Sequence, residues 1–305
     1  MLAKLKGILG SGEPAHPGAR KGRVDVSSRF VTLADVTGQG TMSKVYRVLD
    51  NESGQTACLK IQDRDKNAAA GARTTQEERP AEGAIGAAIV HPNVVRTIEY
   101  GLTTRDEHYM LMEHIDGVSL QHVRETIRLN LRGRLKLLIQ AAEGFNAVVE
   151  AGFIHHDINP RNVLVNRQNI VKVIDFGLTI PNTAAFRKPG NRTGALAYMA
   201  PEVIRREAID ETIDIFAFGA MAYEFLTNAL PYGNPTVGNK MAAMIQRVNS
   251  PPIDPAIANP KLPASLCEVL RKTLARKEDR WPSFATLAVA LAEIRETETK
   301  EPAKG

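Results

Sequence analysis

Three residues stand out by spacing. Asp157 is followed five positions on by the amide Asn162, and thirteen further by a second carboxylate, Asp175. They sit in Ile154-His155-His156-Asp157-Ile158-Asn159-Pro160-Arg161-Asn162 and in Asp175-Phe176-Gly177. Two oxygen donors suit Mg²⁺, which takes few protein ligands and completes its shell with phosphates and water. Asp157 is then available to orient or deprotonate an attacking hydroxyl. Either carboxylate alone is more often a cap or a turn residue; the set is improbable by chance. A second feature is Gly38-Gln39-Gly40-Thr41-Met42-Ser43-Lys44-Val45, a loop whose glycines let backbone N–H groups approach phosphate oxygens. Many hairpins hold two glycines, so the loop is weak evidence by itself. A third is Lys60, in the apolar run Ala57-Cys58-Leu59-Lys60. A buried ammonium needs anionic partners, and phosphates with a carboxylate such as Glu82 would serve. The plainer alternative is an edge-strand lysine facing water.

Elements must hold these residues in place. Val31–Thr37, Lys44–Leu49 and Ala57–Gln62 alternate as strands, with a turn at Asn51-Glu52-Ser53-Gly54 between the last two. A short helix is expected near Ala81–Val90, stopping before His91-Pro92, then strands at Val94–Tyr100 and Glu107–Glu113. Beyond residue 118 helices dominate. Leu135, Leu138, Ala142, Phe145 and Val149 form one helical stripe, while Ile213–Leu226 is apolar nearly all round and reads as buried. Val163–Val165 and Ile170–Ile174 are short strands, and further helices are expected near 238–248, 263–275 and 283–295. A strand-rich first third and a helical remainder predict an α+β fold of two lobes, with the seam near residues 113–118. Clefts between lobes are the usual home of small-ligand sites.

Composition excludes other classes. The chain has 305 residues, 43% hydrophobic and 24% charged, which is too apolar for disorder. No apolar run approaches the roughly 20 residues of a membrane span, and Met1–Gly10 is too short for a secretory signal. Two cysteines, Cys58 and Cys267, make no metal pair or disulfide framework, which fits a reducing cytoplasm. Of the net charge of +5, residues 1–30 carry +4, and Gly10–Gly22 holds four Gly and two Pro. That reads as a flexible basic leader over 1–29 rather than a nucleic-acid groove.

Taken together the motifs resemble the eukaryotic-type protein kinase superfamily, over roughly residues 30–295. Ala200-Pro201-Glu202 looks like the end of an activation segment begun at Asp175. Asp214 resembles the buried aspartate that steadies the catalytic loop, Arg280 the partner of Glu202, and Met112-Glu113-His114-Ile115 a gatekeeper and hinge. The resemblance implies a small antiparallel N-lobe with one helix over 30–113, a helical C-lobe over 118–295, and a tail over 296–305. It implies ATP and Mg²⁺ as cofactors and transfer to Ser/Thr hydroxyls of a protein substrate. Gly38, Gly40 and Ser43 would cover the phosphates. Lys60 would hold them while paired with Glu82, which lies at the family's usual interval, nine residues before His91. Val45, Cys58 and Leu164 would sandwich adenine, and backbone groups of Glu113 and Ile115 would read its edge. Asp157 would be the catalytic base, and Asn162 and Asp175 the metal ligands. Cys58 is read as a packing residue, with a reactive thiol as the sharper alternative.

Four departures qualify the resemblance. His156 replaces the arginine that clamps a phosphorylated segment, and an imidazole near its reference pKa of ~6.5 is mostly neutral at pH 7. Asn159 replaces the phosphate-facing lysine; Arg161, placed as in many tyrosine kinases, is expected to restore that charge. Ala195 replaces a threonine whose hydroxyl bridges catalytic groups. Gly83 and Gly86 each cost ~1 kcal/mol of helicity against Ala, predicting a mobile Glu82 helix as a control point. A regulatory partner is expected at the leader or at that helix. A pseudokinase scaffold and, further off, a small-molecule phosphotransferase are the alternatives.

Overall fold

Ala57, Leu59 and Ile61 alternate with Cys58, Lys60 and Gln62, so one strand sends apolar chains to one face and the functional lysine to the other. This strand belongs to a computed structural model that describes residues 18–35, 43–62, 79–190, 193–233 and 240–298. Gly38 and Gly40 lie outside the described residues. The chain divides into two units, Met1–Asp116 and Gly117–Gly305, a division inside the 113–118 stretch.

The first unit holds β1 (Ala19–Val24), α1 (Val26–Arg29), β2 (Phe30–Asp35), β3 (Ser43–Asp50), β4 (Thr56–Gln62), α2 (Glu82–Ala88), β5 (Thr97–Thr103) and β6 (His108–Glu113). Its six strands run in the order β1-β5-β6-β4-β3-β2. All neighbours are antiparallel except β1, which runs parallel to β5. The leader boundary is therefore corrected: the sheet starts at Ala19, not at residue 30. Val24 and Phe30 share one apolar cluster with Val48, Ala57, Leu59, Tyr109 and Leu111. Three of the leader's bases are neutralised within the unit. Arg29 is buried and bonds Asp50 at 2.9 Å and Glu99 at 2.7 Å. Arg20 pairs with Glu52 and Glu99, and Arg23 with Asp106. The strand expected at Val94–Tyr100 is shifted to Thr97–Thr103, because Val94 and Val95 are buried outside the ladder.

The second unit holds β7 (Gly117–Ser119), α3 (Leu120–Thr126), α4 (Leu131–Glu150), β8 (Phe153–Ile154), β9 (Val163–Asn166), β10 (Val171–Val173), β11 (Ile180–Pro181), α5 (Pro201–Arg205), α6 (Thr212–Thr227), α7 (Lys240–Asn249), α8 (Pro255–Ala258), α9 (Ala264–Thr273) and α10 (Phe284–Thr297). Strands form the sheet β10-β9-β7 and the pair β11-β8. The stripe on α4 is buried at Leu135, Leu138, Ala142 and Phe145, with Val149 half-buried. α6 is buried along almost its whole length, as its unbroken apolar sequence requires. Phe145, Phe218 and Phe284 meet with centroids 5.6 to 6.3 Å apart, tying α4, α6 and α10 together. α10 runs to Thr297, two residues into the expected tail.

Candidate functional site

In the first unit, Lys60 stands opposite Val45 on β3 and Met110 on β6. Its Nζ donates to Glu82 Oε1 at 2.7 Å, and both side chains are buried. Gln62, two residues along the same face of β4, donates through Nε2 to Glu82 Oε2 at 2.7 Å. The helix α2 reaches this position because Gly83 lies directly on Tyr100 of β5. A Cβ there would stand 2.3 Å from Tyr100 Cβ, closer than any side chain can sit. The glycine that reads as a helix breaker is thus also a packing requirement. Cys58 is half-buried and burial pushes its thiol pKa up, which keeps it protonated and suits a packing residue. Glu113 accepts the Arg96 N–H through its side chain and donates its own N–H to the Arg96 carbonyl. Ile115 is half-buried just beyond β6, and Ser43 and Val45 lie on β3.

In the second unit, the loop between β8 and β9 carries Asp157 and Asn162, and Asp175 follows β10. Asp214 of α6 accepts the N–H groups of His155 at 2.6 Å and His156 at 2.9 Å, so the helix holds the loop at its entry. Burial pushes Asp214 up to about 7, although both amide donors pull the other way. The His155 ring is fully buried, and burial lowers its pKa to about 4. Its Nδ1 accepts the Asp157 N–H, which leaves the proton on Nε2 facing the Ile174 carbonyl. The ring also meets Phe145 and Phe176 edge-on, at 5.3 and 5.8 Å.

Asn162 Nδ2 donates to the Asp157 carbonyl at 2.9 Å and to its Oδ2 at 3.0 Å. The other carboxylate oxygen, Oδ1, accepts the Ala195 N–H at 3.0 Å. Gly194 makes this possible: its φ of +99° is open to glycine, and a Cβ would meet the His156 carbonyl at 2.9 Å. Burial raises the Asp157 pKa, Asp175 adds repulsion, and the Ala195, Asn162 and Asn159 donors oppose both. Asp175 adopts φ +66°, and its Oδ1 accepts the Gly177 N–H at 3.1 Å. The Asn162 carbonyl accepts the Ile174 N–H, tying the two acidic segments together. Leu164 is half-buried on β9.

The departing residues are also accounted for. Asn159 donates to the Asp157 carbonyl at 3.0 Å and accepts the Arg161 N–H, so its amide braces the loop. Arg161 Nε donates to Gln121 of α3 at 3.0 Å rather than to the Asp157 carboxylate. His156 meets the Thr193 hydroxyl through Nδ1 at 3.1 Å. Further along, Glu202 and Arg280 form a buried ion pair with a 3.0 Å bond between Oε2 and Nη2, and the guanidinium lies 4.9 Å over the Phe216 ring. Tyr198 donates to Glu224 at 2.6 Å, and Arg124 pairs with the same carboxylate. Two contacts lie outside the motif side chains. Ala195 acts through its backbone, which no side-chain pattern signals. Gln62 was open to detection, since it shares the face of Lys60 by two-residue spacing.

A six-stranded unit with a Lys–Glu pair and a helical unit with an Asp–Asn loop are features of the protein kinase fold. The protein kinase domain model matches residues 31–289, and the chain belongs to that family. It is 28% identical over 291 residues to the serine/threonine-protein kinase PknB of Mycobacterium tuberculosis, a match covering 92% of this chain and 45% of the relative. A probable serine/threonine-protein kinase, pknA2 of Bifidobacterium longum, is 26% identical over 281 residues, covering 91% of this chain and 36% of its own. The tyrosine-protein kinase MasK of Myxococcus xanthus is 34% identical over 231 residues, covering 69% and 34%. The chain spans less than half the length of these curated relatives.

Proposed function

We propose that this protein transfers the γ-phosphoryl group of ATP, with Mg²⁺, to serine or threonine hydroxyls of protein substrates. The observation that carries the reading is the orientation of Asp157. Asn162 and the Ala195 N–H each take one of its carboxylate oxygens, leaving the remaining lone pairs to accept a proton from an acceptor hydroxyl. The donor set fits a hard cation. Asn162 and Asp175 offer oxygens, and among the described residues no group of three or more His, Cys, Asp or Glu forms a protein-only cage. Bound Mg²⁺ and ATP supply the transferable phosphoryl group and charge neutralisation. Lys60, held by Glu82, offers an ammonium to phosphate oxygens, and Ser43 with Gly38 and Gly40 offers backbone N–H groups. Val45, Cys58 and Leu164 provide apolar contact for adenine, with Glu113 and Ile115 reading its edge. Arg161 supplies the cation that Asn159 lacks; an Arg161→Ala variant should lose at least tenfold in rate, and retention of most of the rate refutes this role.

No described helix is long and apolar enough to cross a membrane. A cytoplasmic location is part of the proposal and rests on the scarcity of cysteine. The residue range of the catalytic unit, from Ala19 to Thr297, belongs to it as well. One observation favours a weaker second reading, a nucleotide-binding scaffold. Asn159 is committed to the loop backbone and Arg161 bonds Gln121, so no loop cation bonds the Asp157 carboxylate. Labelled ATP, Mg²⁺ and a generic protein substrate separate the two. The enzyme reading expects phosphoserine and phosphothreonine, lost on Asp175→Asn; label no greater than that of the variant under varied divalent ions supports the scaffold.

A further inference from the structure

Gln62 holds Glu82 in a way that the Lys60 pair alone does not explain. Lys60 and Gln62 project from one face of β4, opposite the Ala57 and Leu59 core. Each gives one 2.7 Å hydrogen bond to a different oxygen of the Glu82 carboxylate, which is 4% exposed. A carboxylate held at one oxygen can still turn about its terminal torsion; held at both, its plane is fixed. The fixed group is the first residue of α2, a helix of seven residues whose N-cap, Ala81, supplies no side-chain bond. So short a helix has little stability of its own. Its place on the sheet comes from Gly83 against Tyr100 and from these two bonds.

We propose that Gln62 is a positioning residue: by taking Glu82 Oε2 it fixes the helix, and through Oε1 it fixes the Lys60 ammonium for phosphate. All three residues of the lock belong to the first unit. Its functional meaning rests on the nucleotide reading above, whereas its geometry does not. The space beside it is lined by Gln62 and by four titratable groups that share it with the Glu82 carboxylate: Lys60 of β4, Tyr100 of β5, and His108 and Tyr109 of β6.

The test compares the full chain with Gln62→Leu, which removes the donor, and Gln62→Glu, which keeps the shape and reverses the polarity. Hydrogen exchange over 82–88 and calorimetric affinity for Mg²⁺–ATP are read at pH 6 and pH 8. Gln62→Leu should speed exchange over 82–88 without changing α4, and weaken Mg²⁺–ATP binding by about fivefold. Gln62→Glu should bind more weakly still at pH 8, where two carboxylates face each other. It should recover toward wild type at pH 6, where a shared proton restores a donor. Exchange equal to wild type in both variants, or a Gln62→Glu penalty that is the same at both pH values, overturns the proposal. A wild-type protein that transfers no phosphate, but whose helix loosens in Gln62→Leu, sinks the kinase reading and leaves the positioning role standing.

Discussion

Asp157 is held in part by a backbone donor rather than by a motif side chain. The hydroxyl expected at position 195 is absent, yet the Ala195 N–H reaches Asp157 Oδ1 at 3.0 Å because Gly194 turns through φ +99°. Gly194→Ala should therefore lower kcat by about a hundredfold, as removal of a positioned donor does. Its thermal stability should fall only modestly, by ~1–2 kcal/mol of strain; kcat and melting temperature measured together check the split. The buried His155 gives a second prediction. Its folded pKa of about 4 lies below the unfolded value near 6.5, so its neutral form contributes stability above pH 6.5. That contribution is lost as pH falls toward 4. The cost of His155→Gln, from denaturant unfolding, should shrink by about 1.4 kcal/mol per pH unit across that window. The opposite shift of Asp214 is present in both proteins and cancels. A cost independent of pH refutes a neutral buried imidazole. The Lys60–Glu82 pair was legible, because a lysine in an apolar strand needs an anionic partner. Ala195 was not, since a peptide N–H is common to every residue but proline.

At the scale of elements, two glycine-rich segments owe their place to tertiary contact. Gly83 lowers helix propensity, but tertiary contact decides its meaning: α2 closes onto Tyr100 where a Cβ cannot fit. Gly83→Ala should displace the helix, weaken Mg²⁺–ATP binding and destabilise by about 1–3 kcal/mol, the cost of overpacking. Adding Tyr100→Ala should return part of both losses, and a double mutant no better than Gly83→Ala contradicts the contact. Gly10–Gly22 suggested a linker, yet β1 begins at Ala19 within that run. The clue lay further on, in Val24, Val26 and Phe30, whose apolar side chains join the cluster with Leu59 and Leu111. Arg29 added to the error, because one basic residue among several reads as solvated until its carboxylates, Asp50 and Glu99, are seen around it. Arg29→Met should destabilise by about 3–5 kcal/mol, as removal of one member of a buried ion pair does. A chain beginning at residue 30 should unfold at a lower temperature than one beginning at Gly18; equal melting temperatures contradict a structural role for β1 and α1.

For the whole molecule, periodicity outlined both units, because long amphipathic and buried helices such as α4 and α6 carry strong signals. The short pieces β7, α3 and α5 escaped, being fixed by tertiary contacts rather than by pattern. Charge was the poorer guide. Arg20, Arg23 and Arg29 counted as an arm, but each is paired inside the first unit. The loop that carries Asp157 is held by α6 through Asp214, and the Lys60–Glu82 pair joins β4 to α2, so the proposed site depends on long-range packing within each unit. The most direct test of the central claim is the rate of γ-phosphoryl transfer from saturating Mg²⁺–ATP to a serine- and threonine-containing peptide library, by wild type and by Asp157→Asn. The account predicts a loss of at least a hundredfold with nucleotide affinity within about twofold of wild type. Equal transfer rates in the two proteins would contradict it.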